Sequence, residues 1–135
     1  MNNMDIQYKV GCTPTTAEII SLYADAGLNR PISDPDRIKK MYDYANLIVT
    51  AWDGDQLIGI ARALTDFCYC CYLSDLAVKS SYQKKGIGRK LIAITKEEIG
   101  EQSMLLLLSA PNAIDYYSHI GMEHVKNGYI INRER

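Results

Sequence analysis

The first half of the chain has hydrophobic and polar positions in the pattern of an antiparallel sheet. Residues 6–10 alternate, and two longer apolar runs, residues 47–52 and 56–64, are joined by an Asp-Gly-Asp turn. An Asp-Gly dipeptide between two such runs is a strong signal for a β-hairpin. A further run, from residue 68 or 69 to residue 78, predicts the next antiparallel strand.

Four segments have apolar residues that recur every three or four positions, which is the period of a helix. The first begins with a Thr-x-x-Glu capping box at Thr15, and the second begins near Pro35. Residues 88–101 predict a third helix, and residues 112–120 predict a fourth that a glycine ends. The predicted strands and helices therefore interleave along the chain.

The last third of the chain completes the predicted fold. Residues 104–108 are all apolar, which predicts a strand buried on both faces. Residues 123–126 and 129–132 flank an Asn-Gly dipeptide and predict a final hairpin. Antiparallel strands followed by a strand–helix–strand crossover predict one α/β domain over residues 1–135 with a mixed sheet. Its ligand should bind at the loop after the fourth strand.

Composition narrows the class of protein. The chain is 47% hydrophobic and 23% charged, which is ordinary for a globular protein. Its net charge of −1 gives no general attraction to nucleic acid or to an anionic membrane. No apolar run reaches the roughly 18 residues of a membrane span, and the N-terminus lacks the apolar core of a signal peptide. We therefore expect a cytoplasmic protein without nucleic-acid or membrane partners.

The cysteines predict neither a disulfide nor a metal site. A stable disulfide is rare in a cytosolic chain, and zinc would need a fourth ligand beside the three clustered cysteines. We therefore expect the thiols to pack as buried or half-buried side chains. The four residues concerned are Cys12, Cys68, Cys70 and Cys71.

A glycine-containing turn between the fourth strand and the third helix predicts a phosphate site. Gly86 and Gly88 leave the backbone accessible, and a helix N-terminus attracts negative charge. A solvated helix face is the alternative explanation of the local positive charge. The turn lacks the G-K-[ST] of a P-loop, and Leu91 stands where a dinucleotide-binding motif has its third glycine. The positive charges are Lys79, Lys84, Lys85, Arg89 and Lys90.

Two motifs closely resemble the GNAT superfamily of N-acetyltransferases, and in particular its small single-domain bacterial members. The first is the acetyl-CoA-binding signature, carried by residues 76–78 and by the segment from Gln83 to Gly88. The second runs from Asn112 through Tyr117 to residue 122, where methionine replaces the usual phenylalanine. The resemblance implies a mostly antiparallel sheet whose fourth and fifth strands splay apart, flanked by about four helices.

The resemblance also implies how acetyl-CoA would be bound, without a metal. Backbone groups of the fourth strand would pair with the pantetheine amides, and N–H groups of the glycine turn would hold the pyrophosphate. The asparagine at the start of the last helix would meet the pantetheine arm. The implied binding residues are Leu76, Ala77, Val78, Gln83, Lys84, Lys85, Gly86, Gly88, Arg89 and Asn112.

The implied reaction is direct attack of a primary amine on the thioester within a ternary complex. Tyr117 matches the family tyrosine that protonates the CoA sulfur, although its helical position also suits a packed ring. Asp75 is a lone carboxylate in an apolar strand, so it is either a general base or a structural carboxylate paired with Arg62. Ordered water could also serve as the base.

The acceptor is not defined by the sequence. Arg30, Asp34 and Tyr42 are candidate contacts for a small amine or a protein amino group. Because family members are often dimeric, a homodimer through the C-terminal strands is a further expectation. Two other functions remain open: a non-catalytic acyl-CoA-binding or sensing domain, and a protein that binds nucleotide phosphates.

Overall fold

The computed structural model describes residues 5–135. The strands are β1 (Ile6–Val10), β2 (Leu47–Asp53), β3 (Gln56–Thr65), β4 (Cys70–Val78) and β5 (Met104–Leu106). The α-helices are α1 (Thr16–Ala26), α2 (Pro35–Asp43), α3 (Ile87–Ile99) and α4 (Ile114–His119). Short 3₁₀ turns, Ser80–Tyr82 and Pro111–Ala113, precede α3 and α4. The same residues contain no helix with the length and apolar character required to span a bilayer.

The strands form one sheet in the order β1-β2-β3-β4-β5. The first four pair antiparallel with their neighbours, whereas β4 and β5 are parallel. A parallel pair requires a long crossover, which α3 provides. The predicted mixed and mostly antiparallel α/β fold is therefore confirmed.

The core lies on both faces of this sheet. On one face, α1 and α2 pack through fully buried residues such as Ile19 and Ile38. On the other, α3 packs through Leu91 and Ile99. The predicted capping box at the start of α1 is present, since the Glu18 N–H donates to the Thr15 hydroxyl oxygen at 3.1 Å.

A bulge in β4 separates that strand from β5. Arg62 pairs with Asp75 but Ala63 pairs with Leu73, so Ser74 is an extra residue in the ladder. Pairing between β4 and β5 covers only residues 70–72 of β4. Beyond that point the two strands run apart, as the resemblance implied. The bulge also directs the Asp75 side chain toward α1 and α2.

Two predictions for the last third of the chain are wrong. The fifth strand ends at residue 106, and Met104 and Leu108 are 57% and 63% exposed, so the run is not buried on both faces. Within residues 123–135 no strand forms, and Tyr129 and Ile131 are 100% and 99% exposed. Both errors come from missing packing partners. β5 is the edge strand of the described sheet, so only one of its sides is paired. The Asn-Gly turn has no further strand to pack against, and an isolated hairpin is only marginally stable.

The expected packing of the cysteines is also wrong for three of the four. Only Cys71 is buried, because β4 turns its side chain toward the core. Cys68 lies outside the strand, in a turn organised by Asp66, whose carboxylate accepts from three backbone N–H groups. The turn holds its shape through the backbone and leaves the thiols exposed. The exposed cysteines are Cys12, Cys68 and Cys70.

Candidate active site

A cleft of about 210 Å³ lies where β4 and β5 separate. One wall is β4 from residue 73 to residue 78, and the opposite wall is formed by the chain after β5 and by the start of α4. The loop after α1, including Gly27 and Leu28, closes one end. Six of the residues predicted for acetyl-CoA binding or catalysis line this cleft, as does the candidate acceptor contact Arg30; the six are Leu76, Ala77, Val78, Gln83, Asn112 and Tyr117.

A larger cavity of about 330 Å³ lies between α1 and the turn that joins β2 to β3. It is lined by Glu18, Asp55 and Lys79 among others, and by none of the residues predicted for the site. The smaller cleft is therefore the candidate active site.

The backbone of β4 is open toward this cleft at alternate residues. The Lys79 N–H donates to the Ile58 carbonyl of β3 at 2.8 Å. Because hydrogen-bonded pairs alternate along an antiparallel ladder, Ala77 is bonded to β3 in the same way. Leu76 and Val78, which lie between these positions, direct their N–H and C=O groups toward the gap.

Side chains already occupy two carbonyl groups along this edge. The Gln83 amide donates to the Val78 carbonyl at 2.9 Å, and Nη2 of Arg30 donates to the Ser74 carbonyl at 2.6 Å. The Leu76 carbonyl and the N–H groups of Leu76 and Val78 are left for a ligand. The cleft thus offers a strand edge to which an extended amide-containing chain can bind.

The turn before α3 presents a row of free backbone donors. Gly86 is the N-cap of α3 with φ of 82°, a left-handed conformation that favours glycine, and α3 has no side-chain cap. In the described chain, the backbone N–H groups of residues 84–89 have no hydrogen-bond acceptor. The side chains of Lys84, Lys85 and Arg89 are exposed beside them. Free N–H groups at a helix N-terminus with adjacent cations form an anion site.

Gly88 lies in this turn, close to the Tyr116 hydroxyl. A Cβ atom placed at Gly88 would lie 3.4 Å from the Tyr116 hydroxyl oxygen and 3.8 Å from Cγ2 of Val78. These are ordinary van der Waals contacts, so the protein itself does not require glycine here. A ligand that approaches the backbone closely would require it.

Tyr117 lies half-buried in the far wall of the cleft, next to Tyr116. The two rings meet edge to face, with centroids 5.2 Å apart. Burial, and then the proximity of Tyr116, raise the pKa of Tyr117 above its ordinary value. Its hydroxyl therefore stays protonated near neutral pH and can donate a hydrogen bond or a proton into the cleft.

Asp75 is buried and does not line the cleft. Its carboxylate accepts from Nε of Arg62 at 2.8 Å, from Nε of Arg30 at 2.7 Å and from the Tyr23 hydroxyl at 2.6 Å. Burial would raise the pKa of Asp75, but hydrogen bonding and charge from Arg62, with further help from Tyr23 and Arg30, hold it below its ordinary value. The geometry favours the structural alternative, because a carboxylate of low pKa is a weak base.

The sequence indicated this buried group only in part: it paired Asp75 with Arg62 and named Arg30 and Tyr42 as candidate acceptor contacts, but it did not join these residues or include Tyr23. Tyr42 is hydrogen-bonded to Tyr23, and burial is the largest cause that raises the pKa of both tyrosines. Both residues also fit the apolar faces of α1 and α2, so no local signal distinguishes them from core residues. Their partner Asp75 is distant in sequence, and the spacing of apolar residues along a helix gives no information about such long-range contacts. We call Tyr23, Arg30, Tyr42, Arg62 and Asp75 the Asp75 network.

The fold and the cleft agree with what comparison of the chain with known proteins finds. A family model described as "Acetyltransferase (GNAT) domain" matches residues 20–132. The chain therefore belongs to the GNAT family of N-acetyltransferases, and the resemblance drawn from its two motifs is confirmed.

Individual relatives share only a modest fraction of identical residues with the chain. The chain is 30% identical over 98 residues to an uncharacterized, ycf52-like N-acetyltransferase from Prochlorococcus marinus, which covers 68% of this chain and 53% of that protein. The chain spans 53% of the length of that relative, and 27% of the length of a second, the chloroplastic GCN5-related N-acetyltransferase 2 of Arabidopsis thaliana, to which it is 32% identical over 73 residues.

Two solved structures show the shared fold. A probable acetyltransferase from meticillin-resistant Staphylococcus aureus superimposes with a TM-score of 0.78 at 24% identity, over 94% of this chain and 100% of that one. An aminoglycoside N-acetyltransferase in complex with CoA gives a TM-score of 0.72 at 13% identity, over 99% and 98%. At these identities the likeness concerns the fold alone.

Proposed function

We propose that this chain transfers an acetyl group from acetyl-CoA to a primary amine, by direct attack within a ternary complex. The observation that carries the proposal is a set of unpaired backbone groups in two neighbouring segments. It begins at Leu76 and Val78 in the gap beside β4 and continues through the N–H groups of residues 84–89. A long ligand with amides at one end and phosphates at the other is complementary to these groups.

The donor would lie along these groups. The pyrophosphate would accept from the N–H groups of residues 84–89, with Lys84, Lys85 and Arg89 neutralising its charge. The pantetheine amides would pair with Leu76 and Val78, and Asn112 would approach from the opposite wall. Ala77 would contribute only to the wall, because its backbone groups are bonded to β3. The CoA complex of a structural neighbour supports this choice of donor.

The chemistry needs three groups around the thioester. The uncharged amine forms a bond from nitrogen to the carbonyl carbon, and the carbon–sulfur bond breaks with its electron pair on sulfur. A free backbone N–H of β4 stabilises the oxyanion, and Tyr117 gives a proton to the departing sulfur. Ordered water takes the proton that the amine loses. In this scheme Asp75 positions Arg30 and β4, and does not act as the base.

The test is turnover with a panel of amines, measured as release of CoA thiol and as mass of the acetylated product. We expect at least one class of primary amine to give release well above the hydrolysis background. Binding of acetyl-CoA without release for any amine or protein would favour the non-catalytic acyl-CoA-binding domain. Tighter binding of ATP or NAD than of CoA would favour a nucleotide-phosphate protein. The homodimer and the cytoplasmic location stay predictions.

A further inference from the structure

Arg30 is the only charged side chain among the described residues that line the cleft. It comes from the loop between α1 and α2 and lies over the β4 bulge. There its Nε bonds to Asp75 at 2.7 Å and its Nη2 to the Ser74 carbonyl at 2.6 Å. Its side chain is 25% exposed, so it is fixed on one side and open to the cleft on the other.

The Arg30 guanidinium has more N–H donors than its protein partners use. Arginine carries five N–H donors, and three are engaged, by Asp75, by Ser74 and by the Asn29 carbonyl at 2.7 Å. The remaining two are available to a ligand. A guanidinium is planar, and its N–H groups match the two oxygens of a carboxylate.

The charge of the Asp75 network is unbalanced. One carboxylate, that of Asp75, faces the two cations of Arg30 and Arg62. The tyrosine partners are neutral at pH 7, and among the described residues no second acidic side chain pairs with either arginine. One net positive charge therefore stays at the wall of the cleft. Because Arg62 is buried, the charge is accessible through Arg30.

The donor's phosphates do not account for this charge. Arg30 is bonded at Ser74, four residues before Val78, which corresponds to roughly 13 Å along a strand. The free N–H groups of residues 84–89 lie beyond Val78, at the other end of the cleft. Arg30 therefore lies on the side from which the acceptor would approach the thioester.

We propose that Arg30 binds a carboxylate of the acceptor, so that the enzyme prefers amines that carry an acidic group close to the amine. This inference rests on the proposed function, because it names the acceptor class of the same site. A free amino acid and an acidic peptide N-terminus share this chemistry. The same amine with its acid replaced by an amide would lack the charge and the paired acceptor oxygens.

The experiment compares matched acceptors. One arm uses amino acids and their carboxamides, and the other uses peptides that begin with Asp or with Asn. We expect kcat/KM to be about tenfold to a hundredfold higher for the acid in at least one arm, as for a charge-assisted hydrogen bond. Each value is corrected for the uncharged fraction of the amine, because a carboxamide leaves more of the amine uncharged. Equal corrected values for acid and amide would overturn the inference and leave acetyl transfer intact, whereas no release from any acceptor would overturn both.

Three variants separate recognition from folding. Arg30→Met should bring the acid-to-amide ratio of kcat/KM close to one. Arg30→Lys should leave an intermediate ratio, because lysine keeps the positive charge but lacks the paired N–H groups of a guanidinium. Arg37→Met removes an exposed arginine of α2 and should keep the native ratio. If Arg30→Met lowered kcat/KM equally for the acid and the amide, the role of Arg30 would be structural and the proposal would be overturned. If Arg30→Met does not fold, an unchanged ratio in Arg30→Lys would overturn the proposal.

Discussion

The two ends of the cleft are built from different parts of the chain. The end proposed for the donor, the donor end, uses backbone groups of two segments that nearly adjoin, residues 76–78 and 83–89. The end proposed for the acceptor, the acceptor end, uses side chains from a loop, two helices and two strands, held together by Asp75. Main-chain binding depends on glycine and strand geometry, whereas the acceptor end depends on a buried ionic group. The two ends should therefore respond to mutation in different ways.

The largest expected effect is on stability, at the acceptor end. Asp75→Ala would leave two arginines without their carboxylate, and we expect the free energy of unfolding to fall by about 3–5 kcal/mol. Asp43→Ala breaks the exposed Lys39–Asp43 pair, 2.8 Å long, and should cost far less, because solvent screens exposed ion pairs. Urea denaturation of both variants makes the comparison. Similar small losses would show that the Asp75 network is not needed for the fold.

The same carboxylate predicts a pH dependence. The folded state holds the pKa of Asp75 below its ordinary value, so the unfolded chain takes up a proton more readily. The stabilisation is therefore complete above the unfolded pKa, about 3.9, and is lost as pH falls through the lower folded pKa. The stability difference between the native chain and Asp75→Asn should shrink below about pH 4. A difference that stays constant down to pH 2 would contradict this assignment.

Tyr117→Phe tests the chemistry between the two ends. Removal of the hydroxyl should lower kcat by about a hundredfold, because the sulfur loses its proton donor. The dissociation constant of CoA should change by less than about twofold, since the ring stays in place. Tyr129→Phe is the matched control, because Tyr129 is fully exposed. Unchanged turnover in Tyr117→Phe would remove Tyr117 from the mechanism and leave the donor site standing.

Gly88→Ala separates the stability of the donor end from its function. The new Cβ meets only ordinary contacts within the protein, and alanine is the better helix residue, so stability should hold or rise slightly. It would nevertheless keep a phosphate from the backbone, and we expect CoA to bind about tenfold more weakly. Calorimetry and thermal unfolding measure the two effects. Gly128→Ala, which alters an open position, should change neither.

The difference between the two ends also explains what the sequence could predict. The donor end was predictable because its glycines, its cations and its strand lie within about fifteen residues. The acceptor end was predictable only in part: Arg30 and Tyr42 were named as candidate contacts and Arg62 as a partner of Asp75, but Arg30 and Asp75 are 45 positions apart and meet only after the α1–α2 loop folds over β4. The bulge at Ser74, beside Asp75, has no distinct local signature. The Asn-Gly signal at residues 127–128 failed for the converse reason: it is local, but a hairpin needs partners to pack against.

The smallest expected effect tests whether the donor end is truly a main-chain site. Lys85→Gln removes an exposed cation beside the free N–H groups and should weaken CoA binding only about twofold to fivefold at low salt. Added salt should remove the difference in CoA affinity between Lys85→Gln and the native chain, because dissolved ions screen the attraction between exposed charges. Lys126→Gln, an exposed lysine in the segment after α4, is the control for net charge. If Lys85→Gln weakened binding more than Gly88→Ala, side-chain charge would dominate phosphate binding, and the contrast between the two ends would be lost.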